Sequence, residues 1–126
     1  CEITRIYDGD TIEVTFDLGF GIKMKGVKLR LFGINAPEVR GSEKVEGKKT
    51  TQWLRKRLCD LDTKFDRWGY VVSEHKNYID IQTVLAKKGN QAKGKFGRYL
   101  ALIWHDDGIN VNHEMIDLSL VRVANY

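Results

Sequence analysis

The chain has one proline, two cysteines and no apolar run approaching the roughly 18 residues that a membrane span requires. Each scarcity excludes something. A spanning segment is not expected, and Cys1 and Cys59 are too few for a disulfide framework. Cys59, beside Leu58 in a helical stretch, reads as a buried thiol. The histidines His75, His105 and His113 lack metal-ligand spacing and are assigned no role. Ser42 and Ser119 have no G-x-S-x-G pattern around them, so covalent catalysis is not expected. Repeats, low-complexity tracts and Pro/Ser-rich linkers are also missing, so nothing divides the chain, and a single domain over 1–126 is expected.

What is present fits one core. A length of 126 residues, with 42% hydrophobic and 30% charged residues, is that of a soluble globular domain. The net charge of +4 and a pI near 9.1 favour an anionic partner such as nucleic acid. Residue 1 is Cys rather than Met, which leaves processing, cutting from a longer protein and trimming all open. A lipid-bearing Cys1 would place the protein outside the cell or in its envelope; a trimmed boundary fits equally well.

Residues 2–16, EITRIYDGDTIEVTF, alternate as two strands joined at Asp8-Gly9-Asp10. The Gly-rich DLGFG can turn the chain into a third strand, VKLRLFGI, which makes an antiparallel meander. From Gly47 the period changes: Thr51, Leu54, Leu58 and Leu61 recur at three- and four-residue steps among basic residues, predicting a basic amphipathic helix. YIDIQTVLA and RYLALIW predict two more strands, and NVNHEMIDLSLV a short helix. Residues 61–77 show no clear period, as a strand pair or as a surface excursion. The expected class is α+β, mainly β: a five-stranded Greek-key barrel of the oligonucleotide-binding (OB-fold) type with two to three helices.

Four stretches could carry chemistry. Asp8 and Asp10 flank Gly9, although Asp-Gly is also ordinary hairpin chemistry. Arg30 lies in an apolar strand, where a guanidinium is costly without an anionic partner; a salt bridge at the barrel rim would also satisfy it. Asn35 and Glu38 bracket Pro37, whose fixed φ makes the turn rigid. KGKFGRYLALIW sets Arg98 at the start of a strand after glycines that allow close backbone approach, or forms a solvated loop of lysines.

Together, YDGDT (7–11), LRLFGINAPE (29–38), KFGRYLALIW (95–104) and VNHEMIDLSLVRVANY (111–126) resemble the staphylococcal nuclease-like, or thermonuclease, family, in the family's order. That resemblance implies a five-stranded barrel that hydrolyses DNA and RNA phosphodiesters with calcium. It assigns Asp10 and the Ala36 carbonyl as calcium ligands, Arg30 and Arg98 to the scissile phosphate, and Glu38 to the attacking water. The roles are physically coherent, since calcium accepts a flexible set of oxygen ligands and two guanidiniums stabilise charge added at phosphorus.

The sequence departs from the family at three positions. Asn35 stands where the family has an Asp that ligates metal; its amide oxygen can still serve, with one negative charge fewer and weaker calcium binding expected. Phe96 replaces a common Tyr but can stack on a base, and Asn125 replaces a second Tyr. Lys95 and the basic helix would gather the polyanion. The expectation is a monomeric, calcium-dependent, sugar-nonspecific endonuclease acting on DNA and RNA, preferring single strands. The alternative is a weakly active or inactive nucleic-acid or protein-binding module on the same fold.

Overall fold

Alternation of Ile12 and Val14 with polar neighbours yields β2 (Thr11–Gly19), and in β1 (Glu2–Asp8) an irregularity between Ile3 and Arg5 lets Ile3 and Ile6, three residues apart, both be buried. The structure, a computed structural model, describes residues 1–37, 41, 44–84, 93–94, 98–105 and 107–123, and of 93, 94 and 98 the backbone alone. β3 (Ile22–Leu31) pairs antiparallel with β2 through Asp17–Lys23 and Ile12–Leu29. It begins earlier than the VKLRL alternation implies. The reversal is tight: Gly19, Phe20 and Gly21 all have positive φ, so the ladder extends to Ile22 beyond the part that packs on the core.

The chain continues through β4 (Ile34–Asn35), α1 (Lys44–Leu58), β5 (Asp80–Thr83), β6 (Lys93–Gly94), β7 (Arg98–Trp104), α2 (Val111–Asp117) and β8 (Arg122–Val123). The main sheet runs β1-β2-β3-β7-β5, with β6 also on β7, while β4 and β8 form a separate antiparallel pair. β3 and β7 are parallel, with Arg30 opposite Leu100, and the other ladders are antiparallel. A parallel pair needs a long crossover, and α1 lies within this one. Residues just before β5 bond back to the start of β1, with Ile3 N–H on the Asn77 carbonyl (2.8 Å) and Ile79 N–H on that of Cys1 (3.0 Å). The mainly-β architecture with a mixed sheet and, among the described residues, two helices agrees with the α+β expectation. Among the described residues the strand ladders trace an open path, without full closure of a Greek-key barrel.

α1 buries Gly47, Thr50, Thr51, Leu54 and Leu58 against the sheet. Leu61, expected to extend that stripe, lies past the helix and is 93% exposed. The helix stops because Asp60 N–H bonds to the Asn77 side chain (2.9 Å) instead of a helix carbonyl. Cys59 is buried at its end, and burial pushes the thiol up to about 12. α2 is capped by Asn110, whose side chain accepts from His113 N–H, and is tied to α1 by Arg57 on Glu114 (2.6 Å).

The unassigned stretch 61–77 lies along the edge of β1. Ile6 N–H donates to the Gly69 carbonyl (2.9 Å) and Val71 N–H to that of Thr4 (3.0 Å). Gly69 is required there: its φ is +86°, and an added Cβ would sit 2.5 Å from the Ile6 carbonyl oxygen. The edge of the sheet is thereby covered.

Candidate active site

The Asp8-Gly9-Asp10 turn nests against α1 and the loop after β4. A Cβ on Gly9 would lie 2.6 Å from Thr50 Cγ2 and 2.9 Å from Ala36 Cβ, so glycine is what lets the turn approach. A β-bulge between Ile6 and Asp8 sets Asp8 opposite Thr11. Asp10 then reaches across the sheet. Its Oδ2 accepts from Ala36 N–H at 2.9 Å and pairs with Arg30 Nη1 at 2.5 Å, while Oδ1 accepts from the Thr11 hydroxyl at 3.2 Å. The Asp10 carbonyl accepts Leu31 N–H (2.8 Å) and lies 3.4 Å from Arg30 Nη1.

Arg30 is 8% exposed, so its charge needs partners. Asp10 provides the carboxylate, and the Asn35 side-chain oxygen accepts from Arg30 Nη2. Four of the expected site residues, Asp10, Arg30, Asn35 and Ala36, thus form one contact cluster. Ala36 meets Asp10 through its N–H, whereas the resemblance assigns its carbonyl. Arg98 opens β7 two positions before Leu100, the register partner of Arg30. Glu38, Lys95, Phe96 and Asn125 lie outside the described residues.

Asp8 was legible as a turn residue but not as a titrating group. Its Oδ1 accepts from Asp10 N–H (3.3 Å), and its pKa is pushed up to about 6, first by burial and then by the neighbouring Asp10 charge. Burial beside Asp10 thus disfavours the charged form of the Asp8 carboxyl. Asp10 and the Asn35 amide offer oxygens, the donor type that a hard cation such as calcium takes, and here both are turned to Arg30. The fit is that of a low-charge site: among the described residues no group of three or more His, Cys, Asp or Glu comes together as a metal cluster.

A family model described as staphylococcal nuclease homologue matches residues 28–126. The match includes Arg30, Asn35, Ala36 and Arg98 and begins after the Asp8-Gly9-Asp10 turn. The fold brings that turn into direct contact with the matched part. No curated protein matches the chain.

Proposed function

This chain belongs to the staphylococcal nuclease homologue family, and from that premise we propose that it is a calcium-dependent endonuclease hydrolysing phosphodiester bonds of DNA and RNA, preferring single strands. Members of this family are nucleases and generally use calcium. The observation that carries the reading is the Asp10–Arg30–Asn35–Ala36 cluster, in which a turn outside the matched segment supplies the carboxylate for the buried arginine inside it.

Arg30 is held on two sides by oxygen acceptors, so its planar fork is fixed before substrate arrives. Fixed dipoles and charges of this kind stabilise developing charge without reorganisation at the moment of reaction. Arg30 and Arg98 take the equatorial oxygens of the scissile phosphate. Glu38 orients a water and receives its proton as the oxygen attacks phosphorus; the new P–O bond forms as one ester P–O bond breaks, and the leaving oxygen takes up a proton from solvent. Asp10, Asn35 and the Ala36 carbonyl would hold the calcium, with Asp8 adding charge nearby; when bound, the ion polarises the phosphate.

The test is cleavage of single-stranded DNA and RNA with calcium and with chelator. Calcium-dependent cleavage is expected, and its absence at high protein concentration rejects catalysis. Asn35→Asp adds the carboxylate that the site lacks, so tighter calcium binding and faster cleavage are expected. The low charge of the donor set favours a second reading, a nucleic-acid-binding module. Salt-sensitive binding without cleavage in either form supports it.

A further inference from the structure

The sheet face that carries Arg30 continues beyond the cluster. Side chains two apart on a strand share a face, so Lys28 lies on the Arg30 side of β3. The registers Lys28–Glu13 and Glu13–Arg5 carry the row across β2 to β1. A groove of about 200 Å³ opens along it, lined by Arg5, Tyr7, Asp8, Thr11, Glu13 and Lys28 among others. Asp8 and Thr11 also bond to Asp10, so the groove leads directly off the candidate active site.

Where the groove reaches Arg5 it meets aromatic residues. Arg5 lies over Tyr7 (4.9 Å) and Tyr70 (4.6 Å), and its Nε–H donates to the Trp68 carbonyl (2.8 Å). Arg67 stacks on Trp68 at 4.3 Å. Arg5 and Tyr70 also pin the 61–77 excursion to β1, which is a packing role. Packing does not account for Lys28, and Arg67 covers the indole of Trp68 only in part. Lys28 is exposed and, among the described residues, in no ion pair, and Trp68 is 51% exposed. Glu13, between the cations, also lines the groove, its Oε1 3.7 Å from where a Cβ on Gly26 would sit.

We propose that this groove is a subsite for a nucleotide flanking the one cut at the Arg30 cluster, in a single-stranded nucleic acid. Lys28 and Arg5 attract its phosphate, and Trp68 and Tyr70 stack its base. The assignment rests on the nuclease reading for the position of the scissile phosphate. Two residues along a strand span about 7 Å, roughly one nucleotide of extended single strand, so Lys28 lies at the reach of the next phosphate. Stacking on aromatic faces requires an unpaired base, which selects single strands over duplex.

Cleavage of a dinucleotide and of a longer oligothymidylate tests the subsite. Lys28→Ala and Trp68→Ala are each expected to lower kcat/KM on the longer substrate by about tenfold, with a much smaller loss on the dinucleotide. Equal losses on both substrates overturn the subsite. Fluorescence anisotropy with labelled oligothymidylate in chelator reads binding without cleavage. There Trp68→Ala is expected to weaken binding about tenfold, and Lys28→Ala to reduce the slope of log affinity against log salt by about 0.7. Unchanged binding in both variants overturns the subsite whether or not the protein cuts. Variant-sensitive binding without any cleavage retires the nuclease reading and leaves the subsite standing. If Trp68→Ala does not fold, Lys28→Glu at its exposed position is expected to lose more affinity than Lys28→Ala, and an equal or smaller loss overturns the proposal.

Discussion

Replacing Asn112 with alanine should cost this protein much of its stability, and the amount can be worked from three hydrogen bonds. Asn112 is 1% exposed on α2. Its Nδ2 donates to the Phe32 carbonyl (2.9 Å) and the Ala101 carbonyl (3.1 Å), and its Oδ1 accepts from Ile103 N–H (3.1 Å). Alanine removes all three. Ala101 still accepts Phe32 N–H at 2.8 Å, so the heaviest loss falls on Ile103 N–H, which would face the vacated space. Two lost bonds at about 1 kcal/mol each and one stranded buried donor at about 1–3 kcal/mol give a total of about 3–5 kcal/mol. Urea denaturation, with its slope checked to be unchanged, measures the difference. Asn112→Asp separates hydrogen bonding from volume: the carboxylate keeps the Ile103 bond but turns an oxygen toward carbonyls. It should be less stable at neutral pH than Asn112→Ala and recover on acidification, as protonation restores a donor. A loss under about 1 kcal/mol for Asn112→Ala would refute the reasoning.

Two further outcomes follow from the site turn. The Asp8 pKa stands near 6 against an ordinary 3.8, so the folded form holds a proton that the unfolded chain releases first, and stability falls as pH rises between these values. At roughly 1.4 kcal/mol per unit this amounts to about 3 kcal/mol, so in chelator Asp8→Asn should be more stable than the parent at pH 7. That advantage should shrink below pH 4; a pH-independent difference in thermal unfolding would refute it. Gly9→Ala forces its Cβ onto Thr50 and should cost about 1–3 kcal/mol. Thr50→Ser removes the clashing methyl yet keeps a hydroxyl for the Leu120 carbonyl (2.9 Å), so the double variant should recover part of the loss; no recovery would refute the clash.

Much of this was readable before the structure. Alternation placed the buried Ile12 and Val14 of β2, and the three- and four-residue steps placed Thr51, Leu54 and Leu58 on one side of α1, because these periods are local; in β1 alternation set Ile3 against Ile6, and the irregularity between Ile3 and Arg5 buries both. The energetic cost of Arg30 in an apolar strand announced a partner, but not which one. Asp10 becomes that partner through the Thr11–Arg30 register, and the register depends on how long the hairpin runs before it reverses. Leu61 misled because a side chain from residue 77 ends the helix, and periodicity carries no information about so distant a contact. The 61–77 stretch resisted for the same reason: its order comes from main-chain bonds to β1 that no side-chain pattern encodes. Asn112 was not singled out within NVNHEMIDLSLV, and its three buried bonds exist only once α2 docks on β7.

The way 61–77 lies along β1 bears on how the protein behaves in a crowded solution. Without it, the amides of Ile6 and the carbonyl of Thr4 would present an unfinished ladder to the next copy of the chain, and each added copy would offer the same invitation again. The segment occupies that route to strand-by-strand polymerisation with backbone groups of its own, so the excursion that looks like surplus length is what finishes this edge of the ladder.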